Sequence, residues 1–310
     1  MKIIEGLLEK PIPVQDVPPV IPAPCIGKRI TEIKFGPPRT FFGNRFVYAV
    51  ISQRARGLSI GINVNPDKCC NFQCAYCEVN RDVPPRDQAV NLKTLTAELE
   101  NLLTLAHEGK LREVSAFRTV PEELLELKEV ALSGDGEPTL SPSFEPIVRE
   151  VIHLRSRRKF PFFKIVLITN ASGLDRPEVR LALRHLTSDD EIWAKLDAGT
   201  QEYMDCVNRP TDVTLRKILK NILLIARERP VVIQSLFPLI NDQEPLEEEI
   251  EQYVKRLKAL KAAGAQISLV QVYSAHRAPN RPDCGHVPLK CLSRIAQRVR
   301  EVTGLPAEVF

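Results

Sequence analysis

Two hydrophobic periods alternate along most of the chain. Short apolar runs recur at residues 58–64, 130–132, 163–168, 191–196, 231–236 and 267–273. They read as strands buried on both faces. Between them lie stretches of helical period. Leu95, Leu99, Leu102, Leu103 and Ala106 share one face, and Gly109 can end that helix. Further helices are expected from Pro121 through Leu127 and over 143–155, 176–186, 214–229 and 245–263. The last of these stops at Gly264. An amphipathic helix over 289–302 follows, with Pro288 before it and Gly304 after it. Six strands alternating with helices imply a parallel sheet, two units short of a full barrel. The expected fold is α/β, an open (β/α)6 partial TIM barrel.

Residues 1–45 break this rhythm. Eight of the 25 prolines fall within the first 40 positions and forbid regular helix there, so this segment reads as a Pro-rich extension. Short β-like runs at 30–33 and 46–51 flank a turn-rich piece and suggest a hairpin. The main domain is expected over 46–280, and 281–310 as a C-terminal amphipathic helix and tail. Glu5, Glu9 and Lys10 interrupt the N-terminal apolar residues, so no signal peptide is expected. No apolar stretch reaches the length of a membrane span, which points to a cytoplasmic protein with no membrane partner. Lys and Arg number 43 against 39 acidic residues, a net charge of +4 that does not mark a dedicated nucleic-acid binder. Eight cysteines are too sparse for a disulfide scaffold. Five of them, Cys25, Cys69, Cys70, Cys74 and Cys77, fall in the first quarter, and clustered thiols point to a metal site in a reducing compartment.

Cys70, Cys74 and Cys77 have the spacing C-x3-C-x2-C just past the end of the first strand. A loop there can fold its thiolates around one centre, and thiolates suit iron–sulfur clusters or zinc. A structural zinc ion wants four protein ligands. The competing reading is therefore a zinc site completed by Cys69 or a distant cysteine. Ser133-Gly134-Asp135-Gly136-Glu137-Pro138 follows the second strand. Glycines there permit close backbone approach to a ligand, although Asp and Gly also mark ordinary turns. Polar residues close the later strands: Thr169, Asn170 and Ser172, then Lys195 and Asp197, then Gln234 and Ser235, then Gln271. That edge of an α/β sheet faces the ligand crevice, while each residue singly reads equally well as a cap or turn. Arg209 is open to either an anion or a surface role. Arg277 and Arg281 are candidates for substrate contact. The basic run Arg155, Arg157, Arg158 and Lys159 reads as a solvated helix end. Cys284, Cys291 and His286 are spaced too irregularly to form a second centre, and Cys206 carries no metal signal.

Cys70–Cys74–Cys77 together with Gly134–Pro138 resembles the radical S-adenosylmethionine (SAM) enzymes. Gly57–Ile62, Ile168-Thr169-Asn170, Lys195–Ala198, Asn208-Arg209-Pro210 and Ile240-Asn241-Asp242 are similar to the branch of wyosine-type tRNA synthetases and related iron–sulfur oxidoreductases. The resemblance spans roughly residues 57–280. It implies a [4Fe-4S] cluster on Cys70, Cys74 and Cys77, with one iron left for the amine and carboxylate of SAM. It places Tyr76 near the adenine, and Gly134, Asp135, Gly136 and Glu137 at the methionine amino group, with Glu137 as the acidic partner. Asn170, Ser172, Lys195, Asp197, Gln234, Ser235 and Gln271 are implied contacts of SAM or substrate. No catalytic residue is assigned. The implied reaction is reductive cleavage of SAM to a 5′-deoxyadenosyl radical that abstracts hydrogen. The electron donor would be a flavodoxin or ferredoxin, and the substrate a small molecule, a protein or tRNA. A wyosine-type tRNA-modifying enzyme, a glycyl-radical-type activating enzyme and a non-catalytic cluster- or zinc-binding electron carrier are the alternatives.

Overall fold

The computed structural model describes residues 39–275 and 283–310. Cys25, Arg277, Arg281 and the β-like run at 30–33 lie outside the described residues.

Strands β1 (Val47–Ser52) and β2 (Gly57–Asn63) form an antiparallel hairpin, with Val47 opposite Ile62 and Ser52 opposite Gly57. From β2 onward every neighbour is parallel: β3 (Leu127–Ser133), β4 (Lys164–Thr169), β5 (Glu191–Lys195), β6 (Val231–Leu236), β8 (Ile267–Tyr273) and β10 (Ala307–Val309). The spatial order is β1-β2-β3-β4-β5-β6-β8-β10, and β7 (Pro238–Ile240) pairs with β9 (Cys284–His286) in a separate antiparallel ribbon. Helices α1 (Leu92–His107), α2 (Phe144–Ser156), α3 (Pro177–Leu183), α4 (Gln201–Val207), α5 (Leu215–Ala226), α6 (Glu247–Ala262) and α7 (Leu289–Thr303) complete the architecture.

The strand runs are apolar throughout because both faces are covered. On one face Ile60, Ile62, Val130, Leu132, Ile165, Leu167 and Ile233 pack with the helices in the main core. On the other, Val166, Trp193 and Val232, flanked by Ile168 and Leu269, form a second cluster. Strand alternation assigns these sets to opposite faces, so the second cluster fills the hollow of the curved sheet. Gly61 clears that hollow near the edge: a Cβ there would stand 2.2 Å from the ring of Tyr48.

The six parallel strands read from the hydrophobic runs are β2 to β6 and β8. Three features add to or differ from the expectation. The segment from Pro121 makes only a single 3-10 turn at Glu122–Leu124, because β3 begins at Leu127 and leaves no length for a helix. Strand β1 pairs with β2, an immediate partner across a four-residue turn. The C-terminal tail beyond α7 adds β10 to the sheet beside β8, and Phe310 N donates to Val272 O at 3.0 Å.

The sheet's two edges come within side-chain reach. Arg54, in the β1–β2 turn, lies 4.6 Å over the ring of Tyr273 in β8. Arg56 Nη2 meets Glu308 Oε2 of β10 at 2.6 Å. β1 and β10 exchange no ladder hydrogen bonds, so the barrel has a seam bridged by side chains rather than a closed sheet. No helix among the described residues is long and apolar enough to cross a membrane.

Candidate cluster and cofactor site

The C-terminal ends of the parallel strands meet around a cavity of about 460 Å3, within the usual range for a small-molecule site. The loop after β2 supplies Cys70, Cys74, Tyr76 and Cys77 to its wall, and the loop after β3 supplies Gly134, Asp135, Gly136 and Glu137. Asn170, Lys195 and Gln234 reach it from β4, β5 and β6. Ser172, Asp197, Ser235 and Gln271 do not line it. They are buried behind the wall.

The cysteine loop has its own support. Gln73 N donates to Asn208 O at 3.1 Å, Ala75 N to Val207 O at 2.7 Å, and Thr211 N to Asn71 O at 2.8 Å. The 207–211 segment after α4 thus runs beside residues 71–75 like a short strand. From the other side Asn71 ties the loop to β4: its Oδ1 accepts from Asn170 Nδ2 at 3.0 Å, and its Nδ2 donates to Ser172 Oγ at 3.0 Å. Ala171 between them has φ +64°, a left-handed conformation uncommon for a residue with a Cβ. Asn221 of α5 holds it there by donating to Ala171 O at 2.9 Å and Ser172 O at 3.1 Å.

Each of the three sulfurs receives one N–H. Phe72 N lies 3.4 Å from Cys70 Sγ, Asn208 Nδ2 3.6 Å from Cys74 Sγ, and Arg81 Nη1 3.2 Å from Cys77 Sγ. Burial pushes the Cys70 thiol up to about 12 and the Cys74 thiol up to about 11. Such thiols release their protons to a metal, whose charge reverses the preference. Three soft donors on one loop, each already facing an N–H, fit a thiolate-held cluster. Cys69 is exposed. Its carbonyl accepts from Glu137 N at 3.0 Å and fixes the next loop. Among the described residues no three His, Cys, Asp or Glu side chains gather closely enough to hold a single metal ion. Cys284 and Cys291 are buried and Cys206 is exposed, with no such group around them.

The loop after β3 is built for close backbone approach. Gly134 has φ +136°. A Cβ on Gly136 would lie 1.9 Å from Cys69 O. Asp135 is committed on both oxygens, to Arg39 Nη2 at 2.9 Å and Asn63 Nδ2 at 2.9 Å. Glu137 is 2% exposed. Its Oε1 accepts from Thr139 N, Thr139 Oγ1 and Thr169 Oγ1, and its Oε2 from Asn170 N at 2.6 Å. Burial raises the Glu137 carboxyl above the usual range, against hydrogen bonds that lower it.

Asp197 is the hub behind the wall. Its Oδ2 accepts from Tyr76 Oη at 2.5 Å and Asn208 Nδ2 at 2.8 Å, and its Oδ1 from Leu236 N at 2.8 Å. Lys195 Nζ lies 3.4 Å from the same carboxylate and donates to Tyr273 Oη at 3.0 Å. Burial alone would lower the Lys195 ammonium; Asp197 and Tyr273 raise it above its ordinary value. Ser235 Oγ bonds Leu196 O and Tyr253 Oη, and Gln271 Oε1 accepts from Gln234 Nε2, so both brace the strands. Arg209 pairs with Asp283 at 3.5 Å. Arg155 grips Asp190, and Arg157 and Lys159 lie against Glu100. Asn71, Arg81, Arg39, Arg54 and Tyr48 carry no motif in the sequence and become site residues only by their place in the fold. In the motif Asn208-Arg209-Pro210 the sequence singles out Arg209, whereas it is Asn208 that the structure places against Cys74 and Asp197.

A parallel partial barrel with a three-cysteine loop at its mouth and a glycine-rich loop beside it defines a class of cluster-bearing enzyme. A sequence profile of the Radical SAM superfamily matches residues 64–253, more than half of the chain, and the chain belongs to that superfamily. It is similar to a UPF0026 protein of Helicobacter pylori, 24% identical over 239 residues covering 75% of this chain and 68% of that one. Among solved structures it resembles TYW1 with a lysine-pyruvate adduct bound, at 16% identity and TM-score 0.53, over 83% of this chain and 84% of that one. It also resembles Streptococcus suis SuiB bound to S-adenosylmethionine, at 15% identity and TM-score 0.56, over 83% and 52%. These likenesses concern the partial TIM barrel. Enzymes of the superfamily use a [4Fe-4S] cluster and SAM, and membership makes this chain an enzyme of SAM-cleaving radical chemistry.

Proposed function

We propose that Cys70, Cys74 and Cys77 hold the [4Fe-4S] cluster and that the adjoining cavity binds SAM against it, for hydrogen abstraction from a substrate in the same cavity. The observation that carries this reading is the set of three sulfurs, each with an N–H donor, on a loop splinted beside the Gly134–Glu137 segment. When bound, the cluster and SAM supply an electron, a cleavable sulfonium bond and a 5′-deoxyadenosyl radical. The protein's part is to bind, orient and exclude water.

Backbone carbonyls of Gly134–Gly136 take the methionine ammonium. Glu137 keeps Thr169 and Asn170 in place and offers Oε2 toward the same group. Lys195 takes the carboxylate of SAM, since Asp197 and Tyr273 keep its ammonium charged. Tyr76 presents its ring to the adenine, with its hydroxyl anchored on Asp197. Asn170 and Gln234 offer polar contacts, while Ser172, Asp197, Ser235 and Gln271 position the groups that touch. A flavodoxin or ferredoxin supplies the electron.

Anaerobically reconstituted protein, given SAM and a strong reductant, is expected to form 5′-deoxyadenosine. Cys70→Ala, Cys74→Ala and Cys77→Ala are expected to form none, and Cys69→Ala to keep the cluster. Wild-type protein that carries the cluster yet makes no 5′-deoxyadenosine sinks the enzymatic reading and leaves an electron carrier.

A further inference from the structure

The cavity has a second half, lined by residues to which no cluster or SAM contact is assigned above. Its wall is the barrel seam: Tyr48, Val50 and Ser52 of β1, with Gln53 and Arg54 of the turn, face Tyr273 of β8. Val50, Ile51, Ser52, Gln53 and Arg54 all line the cavity in unbroken sequence. A strand interior presents only alternate residues to one side, so the cavity wraps the edge of β1 and runs along the seam.

Charge along the cavity is divided: Glu78 and Glu137 line the cluster side, while at the seam the buried Glu129 of β3 acts on Arg54 from beyond ion-pair distance. Arg39 pairs with Asp135 at 2.9 Å, Arg81 lies against Cys77, and Lys195, 3.4 Å from Asp197, is the cation already given to SAM. Arg54 has no carboxylate within 4.0 Å among the described residues. Its contact is the face of Tyr273, 4.6 Å from the ring centroid. The same ring carries Lys195, 5.4 Å from the centroid on Nζ. Tyr273 therefore separates two cations, one beside the cluster loop and one at the far end of the seam. The neighbouring Tyr48 hydroxyl is occupied by Ser133 Oγ at 2.8 Å, which leaves the guanidinium as the strong anchor there. A planar fork of donors suits a carboxylate or phosphate.

We propose that Arg54 is a specificity-determining residue that binds an anionic group, carboxylate or phosphate, at the end of the substrate remote from the cluster. The inference rests on the radical SAM reading of the site. It assigns the substrate's class: a molecule with an acidic terminus, whose reacting carbon is held toward the cluster by the length of the seam. Val50 and the aromatic rings of Tyr48 and Tyr273 would cover the less polar middle of such a molecule.

The test uses reconstituted holo-protein with SAM bound and four probes of one length: hexanoate, hexyl phosphate, hexanol and hexylamine. Binding is read by calorimetry and by the change in the electron paramagnetic resonance signal of the reduced cluster. One or both acids are expected to bind, the tighter one naming the headgroup, with hexanol and hexylamine at least about tenfold weaker. Arg54→Gln is expected to erase the acid preference, and Arg54→Lys to retain part of it. Thermal midpoints and SAM titrations of each variant separate loss of the anchor from loss of the fold. Acids that bind Arg54→Gln as well as wild type, hexanol binding as tightly as hexanoate, or no binding of either acid would overturn the assignment. Wild-type holo-protein that fails to take up SAM sinks the radical SAM reading instead, and is visible before any probe is added.

Discussion

Asn208 donates from one side-chain amide to three acceptors: the Cys74 sulfur at 3.6 Å, the Tyr76 hydroxyl at 3.1 Å and Asp197 Oδ2 at 2.8 Å. Its backbone carbonyl meanwhile accepts from Gln73 N. Groups one step behind a metal ligand typically govern affinity by 10- to 100-fold. Asn208→Ala is therefore expected to weaken cluster retention by about 10-fold or more, read as faster loss of visible absorbance under chelator. An unchanged rate would show that the backbone splint alone holds the loop. Gly136 is a second single-residue control point. An alanine Cβ would meet the Cys69 carbonyl at 1.9 Å and Asn65 Cβ at 2.7 Å, both of them fixed. Gly136→Ala is expected to cost about 2–3 kcal/mol of stability and to abolish SAM binding, checked by denaturant unfolding and calorimetry. At this scale the motifs were legible because the ligands are adjacent in sequence. Asn71, Arg81 and Arg54 were not, since an asparagine or arginine in a polar loop looks the same whether it faces a sulfur, a tyrosine ring or water.

A buried ion pair joins the end of α2 to the start of β5, and its carboxylate also holds the start of β4. Asp190, preceding β5, accepts from Arg155 Nη1 at 2.6 Å and Nη2 at 2.9 Å, from Ile165 N at 2.8 Å and from Thr187 N at 2.8 Å. Burial would raise this carboxyl, but Arg155 and the two backbone N–H groups hold it below the usual range. A carboxyl lowered in the folded state stabilises above its unfolded pKa, and that stability is lost as pH falls through the folded value. Asp190→Asn leaves Arg155 half-paired in a buried place. It is expected to cost about 3–5 kcal/mol at neutral pH and to flatten the acid limb of the stability curve below the ordinary aspartate range. Urea unfolding at a series of pH values checks both, and an unaltered acid limb would show that other carboxylates govern it. The parallel strands were readable from hydrophobic runs because each is covered on both faces. Strand β10 was not, being three residues long. The proline at 121 resembled a helix start, yet the first residues of β3 lie six positions on. The partner of β1 was missed because the turn 53–56 holds no glycine or proline; Arg56 supplies the positive φ there, +57°.

At the scale of the whole molecule, the metal loop rests on the barrel and the barrel does not rest on the loop. The main core joins the outer face of the sheet to α1–α7, and the inner cluster around Trp193 fills the floor. Residues 71–75 are fastened by backbone hydrogen bonds to 207–211 and by Asn71 to β4, all without a metal. This is the opposite of a zinc finger, where binding free energy is folding free energy. Removing the cluster by chelation under oxidising conditions is therefore expected to leave the far-ultraviolet circular dichroism unchanged and unfolding cooperative. The midpoint should fall by no more than about 3 °C, equivalent to about 2 kcal/mol for a chain of this size. The loss should be confined to the cysteine loop, read as faster amide exchange at residues 70–77 with β3 to β6 still protected. Exchange that accelerated through the parallel strands as well would make the cluster part of the fold, and the splint from α4 an ornament of the bound state.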